Sequence, residues 1–326
     1  MSLNFLMCSE RSGSNFVTKL LNGHSAVCGP STKHIFNPVI RNLFRYEPLD
    51  HPSNWDSLLT DIQSLLDVPF SIWEHSFKPG ELRKLAPEGD IAQLLERIFY
   101  AEAEAHGKEH LFIKENQLYE FFPFLLIHYP ASRYLYQVRD PRDMALSWKK
   151  NPAHPGGVIK AARQWKKDQQ QYLKLFRELE REGAAVMIRY EDLIENPEEE
   201  LEKMLSLLGL VYEEGMLSFH QDRLTQKNAE TQQAWKNLSR GVLSGNKNKY
   251  RSELSEEEVR SVEKICYHEM KLLGYLPEFS PTELSRVTDI ELELAEKREL
   301  DEIRLQRPEG VTANMEIKKR MYRRPV

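Results

Sequence analysis

Cysteine is scarce in this sequence. The 326 residues include only three cysteines, Cys8, Cys28 and Cys266. They lie far apart, match no metal-ligand spacing, and cannot all pair within one chain. We therefore expect free thiols in a reducing compartment, which we take to be the cytoplasm, and no bound metal.

Long apolar runs and an excess of positive charge are also missing. No stretch reaches the roughly 18 apolar residues of a membrane-spanning helix, and the amino terminus lacks the basic and apolar segments of a secretion signal. The 45 Lys and Arg residues against 50 Asp and Glu give a formal net charge of −5. We expect no membrane span and no nucleic-acid partner, so that any anion site must be local.

The composition is that of an ordinary folded protein, with 40% hydrophobic and 29% charged residues. Short apolar runs that end in polar residues occur at 4–8, 111–113, 134–138 and 185–188. Helical patterns cover 158–182, 197–208 and 255–273, where Ser255 and Glu258 match a capping box. Strands alternating with helices favour an α/β fold with a central parallel sheet, whose ligands bind beyond the carboxyl ends of the strands.

Two segments stand apart from this pattern. Residues 36–110 are aromatic-rich and predicted to be helical, an insertion that could form an acceptor pocket within a domain spanning 1–280. Residues 281–326 are dense in charge, with Leu300, Ile303 and Leu305 interleaved, and we expect a charged helical C-terminal extension. It either packs back on the domain as a solvated helix with a frayed end or forms a contact with a partner, such as a homodimer.

The loop at 9–15 follows the first strand and opens a helix. Gly13 permits a tight turn, so that backbone N–H groups and the positive end of the helix can meet one phosphate, and Arg11 adds a fixed charge. The Gly-Lys-Ser/Thr of a Walker A loop is absent. A plain strand-to-helix turn is the alternative interpretation.

A second motif, Arg139-Asp140-Pro141-Arg142-Asp143, follows the third strand, and Ser147 lies in the first turns of the next helix. Arg139 and Ser147 can reach one anion at the carboxyl edge of the sheet. A proline turn with surface ion pairs is the alternative.

Together the two motifs resemble the sulfotransferase family that uses 3'-phosphoadenosine-5'-phosphosulfate (PAPS). Further similarity lies in Arg189-Tyr190-Glu191-Asp192-Leu193 and in Tyr250-Arg251, so that the resemblance runs in pieces from residue 4 to about 276. It implies a P-loop-like three-layer fold, and in-line transfer of a sulfuryl group from PAPS to a hydroxyl or amine, releasing adenosine 3',5'-bisphosphate (PAP). Saccharide, lipid, phenol and peptide acceptors all remain open, and we prefer a small molecule or a glycan because the sequence shows no secretion signal.

The resemblance also implies a set of PAPS-binding residues. Arg11, Ser12, Gly13, Ser14 and Asn15 would hold the 5'-phosphosulfate; Arg139 and Ser147 the 3'-phosphate; Phe16 and Tyr190 the adenine; and Ser239 and Arg240 a late loop over the 3'-phosphate. Phe16 could instead be a core residue, and Tyr190 a packing residue at a strand end.

For catalysis, the resemblance places Arg11 and Lys114 on the leaving 5'-phosphate, although Lys114 could also be a surface lysine. The general base departs from the family pattern: Cys28-Gly29-Pro30 replaces a Gly-Glu, and Glu115-Asn116 replaces a histidine after the strand-end lysine. His34 is our first candidate and Glu115 our second, whereas His24 is more suited to capping or packing.

Two other functions remain open from the sequence. A P-loop nucleotide kinase or NTPase shares the strand-loop-helix arrangement but should carry Gly-Lys-Ser/Thr and an acidic Mg²⁺ site, which the sequence lacks. A non-catalytic scaffold could retain the fold and use the charged tail for interaction.

Overall fold

The computed structural model describes residues 1–151, 153–302 and 309–324. Its sheet has the strand order β2-β3-β1-β4-β5, and every neighbouring pair is parallel. The strands are β1 (Ser2–Cys8), β2 (Val27–Cys28), β3 (His110–Lys114), β4 (Tyr134–Val138) and β5 (Ala185–Arg189).

The helices of the described residues follow in chain order. They are α1 (Ser14–Asn22), α2 (Phe36–Arg41), α3 (Pro52–Asp67), α4 (Ile91–Ala105), α5 (Phe122–His128), α6 (Pro141–Lys149), α7 (Val158–Arg181), α8 (Tyr190–Glu195), α9 (Pro197–Ser206), α10 (Arg223–Thr231), α11 (Tyr250–Glu253), α12 (Glu256–Leu272), α13 (Pro281–Ser285), α14 (Asp289–Glu302) and α15 (Glu309–Arg323). None of them is long and apolar enough to cross a membrane.

Both faces of the sheet are buried. Side chains alternate along a strand, so Phe5 and Met7 of β1 join one core, formed with α3, α4, α7 and α12, while Leu6 and Cys8 join another, formed with α1 and α9. Helices on both faces of a parallel sheet give the three-layer α/β fold expected from the sequence. Cys8, Cys28 and Cys266 are buried and unpaired.

The predicted strands and helices are confirmed, including the capping box of Ser255 and Glu258 at the start of α12. Residues 36–110 contain α2, α3 and α4, as expected for helical material. The sequence missed β2, because a strand of two residues is too short to show a period.

The described part of the C-terminal extension packs against the chain's own helices. Helix α14 contacts α7, and α15 contacts α2 and α3. Met321 of α15 is fully buried, and Arg320 donates from Nε to Asp61 Oδ1 of α3 at 2.8 Å. These contacts match the first interpretation of the tail, whereas a homodimer stays a prediction. Residues 303–308 and 325–326, with Ile303 and Leu305, lie outside the described residues.

The motif after β4 is buried rather than a surface turn. Asp140 accepts the backbone N–H of Arg142 at 2.8 Å and so caps α6, with Pro141 in its first turn. The Arg142 guanidinium pairs with Asp140 Oδ2 at 2.6 Å and with Glu263 Oε1 of α12 at 2.7 Å. It also lies over the ring of Tyr250 at 4.4 Å. Arg142 therefore joins α6, which carries Ser147, to α12.

We expect Arg142→Met to lower the free energy of unfolding by roughly 3–5 kcal/mol, because it leaves the buried carboxylates of Asp140 and Glu263 without their cation. Urea unfolding followed by circular dichroism measures this. Arg177→Met is the control, since Arg177 forms an exposed pair with Glu180, and it should cost less than about 1 kcal/mol. Equal effects of the two variants would contradict a structural role for the buried pairs.

Candidate active site

A cavity of about 690 Å³ opens at the carboxyl edge of the sheet. The loops that follow β1, β3 and β4 end there because these strands are adjacent and parallel. The sequence-predicted residues that line it are Arg11, Gly13, Ser14, Asn15, Phe16, His34, Lys114, Arg139, Ser147 and Tyr190.

The loop after β1 is held in a single shape by its own hydrogen bonds. Ser12 donates from Oγ to the carbonyl of Ser9 at 2.7 Å, and Gln137 of β4 donates to the carbonyl of Ser12 at 2.8 Å. Ser12 is buried and lies behind the cavity wall rather than in it. Its role is therefore to fix the loop.

Gly13 has φ +91°, and a Cβ at this position would lie 2.6 Å from the ring of Tyr190. Only glycine satisfies both the left-handed backbone and the close approach. Among the described residues, no side chain caps α1, which begins at Ser14. The N–H groups of Phe16 and Val17 donate to the Gly13 carbonyl at 2.9 and 3.3 Å, so those of Ser14 and Asn15, which line the cavity, are the ones that can meet an anion.

Arg11 links the two predicted phosphate motifs. Its Nε and Nη2 donate to Ser147 Oγ at 3.2 and 3.1 Å. Burial, with Arg139 nearby, lowers the pKa of Arg11 to about 10, so the guanidinium remains charged at neutral pH. Two neighbouring arginines and a hydroxyl form a site suited to a multiply charged anion.

Arg139 is fixed from several sides. It donates from Nη1 to the carbonyl of Arg11 at 3.1 Å and from Nη2 to that of Asn246 at 3.3 Å. Its guanidinium lies 4.4 Å from the ring centre of Tyr190. Within the part of the chain that the structure describes, its buried Nε has no hydrogen-bond partner. A preorganised arginine with unused donor capacity fits a phosphate.

Phe16 and Tyr190 form the aromatic wall of the cavity. Their ring centroids are 6.1 Å apart in an edge-to-face arrangement, and Phe16 also packs on Phe219 at 5.5 Å. Asn246 donates from Nδ2 to the hydroxyl of Tyr190 at 2.6 Å. Both aromatic residues pack and line the cavity at once, so the two interpretations offered for each are compatible.

Two residues that the resemblance placed in the late loop, Ser239 and Arg240, do not line the cavity, and Arg240 is exposed. Leu238 before them and Gly241, Asn246 and Lys249 after them do line it. No motif in the sequence indicates Asn246 and Lys249, since their approach depends on how the chain returns over Arg139.

The end of this late loop is fastened to α6. Asp143 accepts the backbone N–H of Asn248 at 2.6 Å and that of Tyr250 at 3.0 Å. One buried carboxylate of the second motif therefore positions Lys249, which lies between these two residues.

Glu115 and His34 form a pair. The Glu115 carboxylate is buried, and its Oε1 accepts the N–H groups of Ile35 at 2.6 Å and Phe36 at 3.1 Å. Its Oε2 lies 3.4 Å from His34 Nδ1. His34 lines the cavity, whereas Glu115 stands behind it. The His34 ring also stacks on Phe70, with centroids 5.9 Å apart.

The pKa values of His34 and Glu115 are shifted in opposite directions. Burial, assisted by the charges of Lys318 and Lys114, keeps the pKa of His34 well below its usual value, so the ring is neutral. Burial raises the pKa of Glu115 to about 7. The neutral His34 ring therefore has one nitrogen lone pair that carries no proton, and its Nδ1 lies beside the Glu115 carboxyl group.

His24 lies elsewhere. It is buried, its Nε2 is 3.0 Å from the carbonyl of Val211, and its Nδ1 accepts the N–H of Ala26 at 3.0 Å. It lines neither of the two cavities described here. These contacts agree with the capping or packing expected for His24 from the sequence.

Lys114 ends β3, is buried, and lines the cavity, so it is not a surface lysine. Residues that the sequence did not single out stand around it. They are Glu10, Asn116, His154 and Lys318. Lys318 belongs to α15, and only its place in a basic run of the tail marked it in the sequence.

A second cavity of about 240 Å³ adjoins the first and shares four residues with it, Glu10, His34, Asn116 and Lys318. Its remaining wall is mostly polar. It contains Asn37, Pro38, Gln117, Trp148, Gln164 and Asp168. In 1–151, 153–302 and 309–324, no group of three or more His, Cys, Asp or Glu side chains could hold a metal ion.

Solved structures of similar fold include sulfotransferase domains. The sulfotransferase domain from the curacin biosynthetic pathway superposes with a TM-score of 0.54 at 17% identity, covering 84% of this chain and 98% of that one. The sulfotransferase domain from the Synechococcus PCC 7002 olefin synthase gives 0.50 at 20% identity, with 82% and 94% covered. At these identities the likeness shows a shared fold.

Sequence comparison gives the family. Carbohydrate sulfotransferase 1 of Danio rerio is 28% identical over 106 residues, which is 32% of this chain and 25% of the relative, so the match spans a quarter of that protein's length. The sequence model of the "Sulfotransferase family" matches residues 5–214. That match covers more than half of the chain and contains the loop after β1, Lys114, Arg139 and Ser147. The protein belongs to the sulfotransferase family.

Proposed function

We propose that the protein transfers a sulfuryl group from PAPS to a hydroxyl or amine acceptor and releases PAP. The observation that carries the proposal is the cationic cradle of Arg11, Ser147 and Arg139 at the open N-terminus of α1. Such a cradle suits a ligand that carries several phosphate charges, because two neighbouring guanidinium groups and a hydroxyl meet at one wall of the cavity. The family match favours this reaction over the nucleotide kinase and the scaffold.

The 5'-phosphosulfate would lie on the loop after β1, acting as a phosphate-binding loop. Ser14 and Asn15 at the start of α1 line this place together with Arg11. Lys114 adds a charge from the end of β3. These groups would stabilise the negative charge that develops on the leaving 5'-phosphate, which is the main demand of sulfuryl transfer.

The nucleoside and 3'-phosphate would lie toward β4. Arg139 offers the unused Nε, and Lys249 lines the same part of the cavity. Phe16 and Tyr190 offer apolar faces for adenine. Asn246 would fix the ligand indirectly, since it already holds the Tyr190 hydroxyl and the Arg139 guanidinium.

His34 would be the general base. The acceptor oxygen attacks sulfur as the bond from sulfur to the 5'-phosphate oxygen breaks, and the acceptor proton passes to His34 Nε2. With Nδ1–H directed at Glu115 Oε2, Nε2 carries the lone pair. Glu115 acts through His34, since its own Oε1 is engaged by two backbone N–H groups.

The acceptor would enter from the side of His34 and is a small molecule or a glycan. Phe70, from the helical insertion at 36–110, and Trp235 line this side, and the polar second cavity adjoins it. Aromatic faces beside amide and carboxylate groups suit a hydroxyl-bearing ligand. The buried, unpaired cysteines support a reducing, cytoplasmic setting.

Calorimetric titration tests the nucleotide assignment without an acceptor. We expect PAP to bind with micromolar affinity in the absence of metal, and ATP with Mg²⁺ to bind at least tenfold more weakly, because the proposed site holds phosphates with protein cations and the sequence lacks a Walker A loop. Tight, Mg²⁺-dependent binding of ATP would instead support a nucleotide kinase. Binding of neither ligand would favour the scaffold.

Arg139→Ala should weaken PAP binding by about 1.5–3 kcal/mol, the range of a hydrogen bond to a charged group, and barely alter binding of adenosine 5'-monophosphate. The same calorimetry measures both ligands. Arg240→Ala is the matched control, since Arg240 is exposed and outside the cavity, and should change neither affinity by more than twofold. Equal losses for both nucleotides in Arg139→Ala would remove the 3'-phosphate assignment.

His34→Ala should lower kcat by about 10²–10⁴-fold with PAP affinity intact, because it removes the proton acceptor but no donor contact. Turnover is measured with ³⁵S-labelled PAPS and a panel of phenols and saccharides, with His128→Ala as the exposed histidine control. If His34→Ala retains full turnover, the base lies elsewhere.

The same assay gives a pH signature for Glu115. Its carboxylate, the form that can accept from His34, predominates above a pKa of about 7, so kcat should rise as pH passes through 7. Glu115→Gln keeps an oxygen for the N–H groups of Ile35 and Phe36 and should flatten this rise. A wild-type profile that is flat from pH 6 to 8 would contradict the pairing.

A further inference from the structure

Helix α15 forms part of the wall of the active site and is firmly anchored. Asn314 is buried and donates from Nδ2 to the carbonyl of Lys33 at 3.5 Å. Arg320 pairs with Asp61 of α3, and Met321 is fully buried. These anchors lie before and after Lys318 in the helix, and they therefore hold the backbone of Lys318 at the cavity wall.

Lys318 lies where the two cavities meet. Like His34, Glu10 and Asn116, Lys318 lines both cavities. The charges that act on its ammonium are those of Glu115, Glu10 and Lys114. Across the described ranges, neither the Lys318 nor the Lys114 ammonium has a hydrogen-bond or ion-pair partner.

Two unpaired ammonium groups facing one cavity are unfavourable without an anion. Burial and the charge of Lys114 lower the pKa of Lys318, whereas the charges of Glu115 and Glu10 raise it. The net result is a pKa of about 8. The group is therefore still mostly protonated at neutral pH. A desolvated charge without a partner costs free energy, which a bound anion between the two lysines would offset.

The second cavity does not supply that anion. Asp168 contributes a carboxyl group to its wall and does not line the first cavity, so a negatively charged group of an acceptor would be repelled there. The anion expected beside Lys114 is the phosphosulfate of the proposed donor. Its sulfuryl group must face His34 for the acceptor to be deprotonated, and Lys318 borders His34 in both cavities.

We propose that Lys318 is a further catalytic residue, an inference that rests on the proposed function. Its ammonium contacts the oxygens of the sulfuryl group from the acceptor side. As the acceptor oxygen bonds to sulfur and the bond to the 5'-phosphate breaks, the sulfuryl oxygens keep their negative charge. Lys318 stabilises that charge and stays protonated, while the acceptor proton goes to His34. Arg11 and Lys114 act on the leaving phosphate from the other side.

Binding of two nucleotides that differ only by the sulfuryl group isolates this contact. We expect Lys318→Met to weaken PAPS binding by about 10–100-fold, as for loss of a charge-assisted hydrogen bond, and to change PAP binding by less than twofold. Lys319→Met is the control, since Lys319 is exposed and paired with Glu316, and both affinities should stay unchanged. Calorimetry with the full chain measures all of these.

Folding of the variant is checked by its melting temperature. Lys318→Met should melt close to the wild type, because Asn314, Arg320 and Met321 rather than Lys318 anchor α15. Lys318→Arg should recover most of the PAPS affinity, since it restores the positive charge. Unchanged PAPS binding in Lys318→Met, or equal losses for PAPS and PAP, would overturn the proposal. If wild-type protein binds neither nucleotide, the proposed function itself fails, and this inference fails with it.

Discussion

The parallel pairing of β1 with β4 is the constraint on which the site depends. Their register places Cys8 opposite Gln137, so both chains leave the sheet at the same level and the two anion motifs emerge side by side. The hydrogen bond from Arg139 to the carbonyl of Arg11 and the one from Gln137 to the carbonyl of Ser12 follow from this adjacency. An antiparallel neighbour would carry its loop to the opposite edge.

The buried Arg142, the buried Lys114 and the half-buried Lys318 differ in how their charges are satisfied. Arg142 pairs with two carboxylates and lies over an aromatic ring, and these contacts hold α6 against α12. Lys114 and Lys318, by contrast, face the cavity without a partner among the described residues. Free energy that pairing would have contributed to folding is thus left available for binding an anion.

Much of this arrangement could be predicted from the sequence because it is local. The strands β1 and β4 can be recognised in the sequence as apolar runs that end in polar residues, and the loop with Gly13 directly follows the first of these runs. The site residues that could not be predicted depend on contacts between segments that are far apart in the sequence. Lys249 enters the cavity because Asp143 holds the chain around it, and Lys318 because α15 docks on α2 and α3. No spacing within the sequence records that Lys318 and His34 become neighbours across more than 280 residues.

The departure of the base from the family pattern also has a structural reason. The glutamate that follows Lys114 is directed away from the cavity, because the N–H groups of Ile35 and Phe36 engage its Oε1. A carboxylate held in that way cannot itself reach an acceptor. His34, with φ +57°, turns the chain so that its ring stands between Glu115 and the cavity. In the proposed mechanism, the proton acceptor and the group that orients it are therefore separate residues, and the buried Glu115 carboxylate acts on the His34 imidazole from behind the cavity wall.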